Sequence, residues 1–105
     1  MHYLLFYDYV PDVLERRPQF RGAHLAHARA SLACGELLLA GAFADPVDGA
    51  VLLFSAPSKD LVEKFARDDP YVTGGLVTSW KVRAWTTVVG EGAANPLPME
   101  SGPAS

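Results

Sequence analysis

Cysteine is nearly missing from this 105-residue chain. Cys34 stands alone, which rules out an internal disulfide or a cysteine metal cluster. Its place just before Gly35, at the end of a helical stretch, predicts a small buried hydrophobe rather than a nucleophile. Long apolar runs are missing as well. Nothing approaches the roughly 20 residues that span a bilayer, and the apolar opening from Met1 to Tyr9 lacks a positive leader and a small-residue cleavage site. A cytoplasmic protein with no membrane partner is expected. The third absence is a basic excess: 9 Lys and Arg stand against 12 Asp and Glu, a net charge of −3, with the basic residues scattered. The basic stripe of a nucleic-acid binder is not there, so nucleic acid is not an expected partner.

What is present suits one small domain. Half of the residues are hydrophobic (50%). A domain of this size buries a smaller share of its surface than a larger one, so a second copy would be a useful source of extra core.

Residues His2 to Tyr9, dense in Tyr, Leu and Phe, read as a strand that Val10, Pro11 and Asp12 end. Helical spacing follows Pro18, with Leu25, Ala28 and Leu32 on one face and Gly35 as the stop. Val13 to Arg17 is expected to be a loop or a separate turn, because proline is tolerated in a first helical turn but not deeper. Glu36 to Phe43 and Ala50 to Ser55 are short apolar runs separated by Asp45, Pro46, Asp48 and Gly49, a hairpin pattern. Ser58 is a natural N-cap for a second helix, in which Leu61, Val62, Phe65 and Ala66 form the apolar stripe. Leu76 to Val89 alternates as a long strand. Its face of Leu76, Thr78, Trp80, Val82, Ala84 and Thr86 stays mostly apolar, while the other turns polar mid-strand.

The order strand, helix, strand, strand, helix, strand predicts a ferredoxin-like βαββαβ fold of the α+β class, with two helices on one face of an antiparallel sheet. The other face would stay bare in a monomer, and many of its positions are apolar. A homodimer with sheets packed together by two-fold pairing is therefore expected. Residues 1–89 form the expected domain. Residues 90–105, rich in Gly, Ala, Pro and Ser, are expected to be a flexible tail or an arm lying on the partner.

The chemistry gathers around Asp69. Pro70 cannot continue a helix and restricts Asp69 to extended geometry, which puts its carboxylate at a stiff corner. The plausible partner of such a carboxylate is an imidazole, and His24 on the first helix offers one, with Arg21 a turn before it on the same stripe. A carboxylate accepting from one ring nitrogen fixes the tautomer and raises the basicity of the other, as a general acid/base requires. Arg21 and Arg17 could hold an anionic group or simply be solvated helix residues. A His–Asp pair also serves plain structure, tying a helix to a loop, and spacing does not separate the two roles.

Tyr71, Trp80, Trp85 and Phe43 read first as packing and second as pocket walls. His27 is expected to be exposed, and His2 has no evident partner. Metal binding by His24 and His27 lacks a nearby third ligand, so no metal is expected. Gly74 and Gly75 read as a bend, and Asp68 as the solvent-facing neighbour of Asp69.

The R-x-x-H-L pattern of Arg21, His24 and Leu25, with Arg17 before it, and the later Asp69-Pro70-Tyr71 corner with its glycines together resemble the YciI-like (YCII-related) family over roughly Met1 to Val89. The resemblance implies a ferredoxin-like fold in the dimeric α+β barrel superfamily, with His24 and Asp69 as a proposed acid/base dyad in a pocket beside the sheet. It also implies that catalysis is open without an obvious cofactor, since a member dehydrochlorinates a chlorinated hydroxyquinol. Two positions depart from the family pattern: Gly49 is followed by Ala50 where serine is common, and Gly41 by Ala42 where proline is frequent.

The leading expectation is a small cofactor-independent enzyme, a lyase, isomerase or hydrolase acting on a small, aromatic-derived molecule. His24 would shuttle the proton and Asp69 orient it, with Arg21, Arg17 and Tyr71 as substrate contacts. The rival is a non-catalytic module that binds a small ligand in the same pocket. Haem chemistry has no support beyond the histidines themselves.

Overall fold

The structure, a computed structural model, describes residues 1–98, and the expectation for the tail beyond them lies outside the described residues. Strands β1 (His2–Tyr9), β2 (Leu37–Ala42), β3 (Gly49–Ser55) and β4 (Val77–Trp85) form one antiparallel sheet in the order β2-β3-β1-β4. The helices are α1 (Val13–Ala33), α2 (Lys59–Asp68) and the short α3 (Pro70–Thr73). This is the ferredoxin-like βαββαβ order with one added turn of helix before the last strand.

Alternation along the strands decides which side is buried. Leu5 and Tyr7 of β1, Leu52 and Phe54 of β3 and Val82 of β4 point toward the helices and are buried. They meet Val62, Phe65 and Ala66 from the apolar stripe of α2. Each large side chain removed from water in this way contributes about 1.5–3 kcal/mol before entropy is counted. On the other side, Leu4, Val51, Leu53, Leu39, Phe43 and Trp85 border an apolar depression of about 570 Å³ on the bare sheet face.

The first helix departs from expectation at its start. It begins at Val13 and runs through Pro18 as one piece. Pro18 is the sixth residue of this helix, and its missing N–H leaves the Leu14 carbonyl without its intrahelical donor at a residue that is exposed to water. The buried face also differs, because Ala28 and Ser31 are buried while Leu32 is 53% exposed. Cys34, expected inside, is exposed.

Ser58 occupies the N-cap of α2 in extended conformation, but its hydroxyl makes no capping hydrogen bond. The last strand ends at Trp85 rather than Val89. A register shift between Asp8 and Tyr9 turns Val77 inward beside Leu76, so the buried set of β4 does not follow one strict alternation. Beyond β4 the chain doubles back, with Asn95 N–H donating to Thr87 O (2.9 Å) and Leu97 N–H to Val88 O (3.0 Å). His2, which showed no partner in the sequence, is buried and lies 2.7 Å through Nδ1 from Thr87 Oγ1. No helix among the described residues is long and apolar enough to cross a membrane.

Candidate active site

Asp69 is the N-cap of α3, with Pro70 in the first helical turn, so the corner leads into a turn of helix rather than directly into strand. The backbone at Asp69 is extended (φ −69°, ψ 126°), the geometry proline imposes on the residue before it. As cap, its Oδ1 accepts from Tyr71 N–H at 3.0 Å. The side chain has no exposed surface. Gly75, at φ +82°, then supplies the left-handed step that turns the chain back into β4.

The structure brings His24 and Asp69 together, with His24 Nδ1 2.8 Å from Asp69 Oδ1. Asp69 already has the Tyr71 N–H and the Tyr7 hydroxyl as donors, so an ionised carboxylate calls for the proton of this contact on Nδ1; Nε2 has no partner among the described residues. The imidazole is 15% exposed. Its ring lies flat on Tyr71, with centroids 3.7 Å apart and planes within 5°. Tyr71 in turn meets the ring of Tyr9 edge-on.

One residue of this cluster was missed in the sequence. Tyr7 donates its hydroxyl to Asp69 Oδ2 at 2.7 Å, so both carboxylate oxygens are held. Burial, then the Asp69 charge and the hydrogen bond to it, push the Tyr7 phenol far above its ordinary range. Tyr9 is pushed up to about 12, chiefly by burial. Tyr71 is raised by burial too, against the pull of Arg17 and Arg21. The signal was there: Tyr3, Leu5, Tyr7 and Tyr9 share one face of β1, and a buried tyrosine hydroxyl needs an acceptor.

These residues border a cavity of about 230 Å³ between α1 and the β1–β3–β2 part of the sheet. Arg17, Arg21, His24, Leu25 and Ala28 line it from the helix, Tyr7, Ala42, Ala50 and Leu52 from the sheet, and Tyr9 and Tyr71 from one end. Its space exists because Ala28, Ala42 and Ala50 are small. All five residues singled out from the sequence, His24, Asp69, Arg21, Arg17 and Tyr71, fall at this one place, with Asp69 just behind the cavity wall.

The remaining residues lie elsewhere. His27, expected to be exposed, is half-buried; its Nε2 is 3.0 Å from Phe65 O and its ring stacks on Phe65. Trp85 and Phe43 are on the bare sheet face, and Trp80 packs against the core. Asp68 is exposed and paired with Lys64 at 2.6 Å, which lowers its carboxyl below the usual range. Among the described residues no three His, Cys, Asp or Glu side chains are grouped so as to hold a metal ion.

Fold and site together define a small ferredoxin-like α+β domain with a buried His–Asp–Tyr cluster facing a cavity. The chain belongs to the YCII-related domain family, whose pattern matches residues 1–86. No curated protein sequence matches it. Among solved structures, it is similar to 5-chloro-2-hydroxyhydroquinone dehydrochlorinase (TftG) from Burkholderia phenoliruptrix AC1100, in complex with 2,5-dihydroxybenzoquinone. The identity is 25% and the TM-score 0.72, over 83% of this chain and 95% of that one. Protein Atu4242 from Agrobacterium tumefaciens, at 12% identity, shares the fold with a TM-score of 0.55 over 90% of this chain and 98% of its own.

Proposed function

We propose that this protein is a small enzyme that needs no cofactor and uses His24 and Asp69 for general acid/base chemistry on a small, aromatic-derived molecule. The observation that carries this is the 2.8 Å contact of His24 Nδ1 with a fully buried carboxylate, which leaves Nε2 as the unpaired nitrogen of a cavity-lining ring. Asp69 fixes the tautomer and favours the imidazolium that forms when Nε2 takes a proton. Arg21 and Arg17 supply positive charge for an anionic group of the substrate or for charge that develops during reaction. In an elimination, the proton passes from carbon to Nε2, its electron pair forms the new double bond, and the leaving group departs with its own pair. Isomerisation and hydrolysis draw on the same base. The similarity to a dehydrochlorinase supports this reading, since loss of HCl is such an elimination.

The test is turnover of a panel of chlorinated and hydroxylated ring compounds, followed by chloride release and by absorbance. His24→Ala should lose turnover by about 10²-fold or more with its circular dichroism unchanged. Asp69→Asn should keep the cavity but lose most of the rate, because its amide oxygen can still accept from Tyr71 N–H and from Nδ1–H yet carries no charge to offset an imidazolium. Unchanged turnover in His24→Ala sinks the proposal. Binding without chemical change in the wild type would favour the ligand-binding module instead.

We further propose that the working unit is a homodimer of the domain 1–89 paired through the bare sheet face, with the tail from Gly90, whose first residues fold back on Thr87 and Val88, extending as an arm toward the partner. The apolar depression bordered by Leu4, Leu39, Val51, Leu53 and Trp85 supports this reading.

A further inference from the structure

The cavity changes character along its length. Helix α1 sets Arg17, Arg21, His24 and Ala28 along one wall in that order, with Leu25 beside them. Strand register sets the same order on the floor. Ala50 is level with Tyr7 and Ala42, while Leu52 is level with Leu5 and Ala40. Helix α1 starts just after β1 ends at Tyr9, and it finishes where β2 begins at Leu37, level with Phe54. Its first turns therefore stand at the Tyr9 end and its later turns toward Leu52. One end carries two guanidinium groups and the Tyr9 phenol. The other has only Leu25, Ala28, Ala40 and Leu52, none of which offers a polar side-chain atom. His24 sits between them, about one helical turn from Arg21.

We infer that the ligand of this site is a small amphiphilic acid, with its acidic group at the Arg17 and Arg21 end, its reacting atom beside His24, and an apolar body lying toward Ala28 and Leu52. This rests on the reading of the two arginines as anion contacts. A hydroxyl placed at the far end gives up its water without a side-chain partner, which costs roughly a tenfold loss of affinity or more. Adding a methyl there gains contact instead.

The experiment is calorimetric titration of the full chain with 4-methylbenzoate and 4-hydroxybenzoate, near-isosteres that differ only at the far end. The expected result is at least tenfold tighter binding of 4-methylbenzoate. Arg21→Ala should weaken both ligands by a similar factor, and Ala28→Ser, which places a hydroxyl at the apolar end, should narrow the gap between them. Equal affinities in the wild type, with Arg21→Ala still weakening both, would overturn the amphiphile inference while leaving the anion contact standing. Absence of binding, or binding indifferent to Arg21→Ala, would overturn the underlying reading of the site as well.

Discussion

A carboxylate with no exposed surface has to find its donors inside the protein, and Asp69 finds three: His24, the Tyr71 backbone and the Tyr7 hydroxyl. Tyr7 is coupled to this arrangement in a way that pH can read. Its phenol is held far above the ordinary tyrosine value of about 10, so between that value and its folded value the native state keeps a proton that the unfolded chain has lost. Stability is therefore fully present below about pH 10 and falls as pH rises further. Tyr9, at about 12, adds to the fall over the window from about 10 to 12. Urea unfolding at stepped pH, with tyrosinate absorbance followed in parallel, should show stability dropping above about pH 10 and the phenols of Tyr7, Tyr9 and Tyr71 ionising late. Tyr7→Phe should be less stable near pH 8 by about 2 kcal/mol, because Asp69 Oδ2 loses its donor, yet should show a shallower alkaline fall. An unchanged alkaline slope in that variant would contradict the coupling. At this scale the meeting of His24 and Asp69 was legible, since Pro70 fixes the carboxylate and one helix carries the imidazole. The partners of His2 and His27 were not, because both depend on where Thr87 and the Phe65 carbonyl come to lie in space.

Elements were legible where pattern and punctuation agree, as in β1, the β2–β3 hairpin and the strongly striped α2. They were least legible where one residue carries two meanings. Pro18 argued for a helix start, yet it lies in the second turn of a helix that the fold continues backward to Val13, whose side chain is buried, so packing at Val13 outweighs the local cost of the proline. The short α3 is too brief to show periodicity at all. Two glycines mark where elements approach most closely, and they should differ in consequence. A Cβ at Gly49 would stand 2.4 Å from the Tyr7 carbonyl oxygen, which is backbone of the central strand β1. A Cβ at Gly74 would stand 2.5 Å from the ring of Phe20, a half-buried side chain rather than strand backbone. Gly49→Ala should thus cost about 3 kcal/mol or more and Gly74→Ala about 1 kcal/mol, measured by chemical denaturation. For a domain of this size the first should lower Tm by roughly 10 °C or more. Because Gly49 abuts the residue that holds Asp69, Gly49→Ala should also disturb the His24 environment, seen as a shifted imidazole resonance. Equal costs at the two glycines would contradict this account.

At the scale of the whole molecule, the sheet has one face covered by helices and one face bare. The bare face is graded. Toward β2 and β3 it offers Leu39, Phe43, Val51 and Leu53, joined by Trp85 at the end of β4, whereas the first part of β4 turns polar, with Lys81 lying over the Phe6 ring and Ser79 bonded to Asp8. A second copy would bury the apolar part and keep the polar part at the rim, the division found in stable interfaces. Ala40 and Ala42 join the two scales, because β2 lines the cavity on one side and the apolar depression on the other. Covering the bare face should therefore stiffen the wall of the cavity. Sedimentation equilibrium should give twice the 11.3 kDa chain mass. Leu39→Lys places a charge at a residue that is 71% exposed in the single chain, so it should leave the fold intact and shift the mass to that of one chain. In the same variant 4-methylbenzoate should bind more weakly, because the strand behind its site has lost its backing. A monomeric wild type would remove the dimer from the proposal, and a monomeric Leu39→Lys that binds 4-methylbenzoate as tightly as the wild-type dimer would show that the cavity stands on one chain alone.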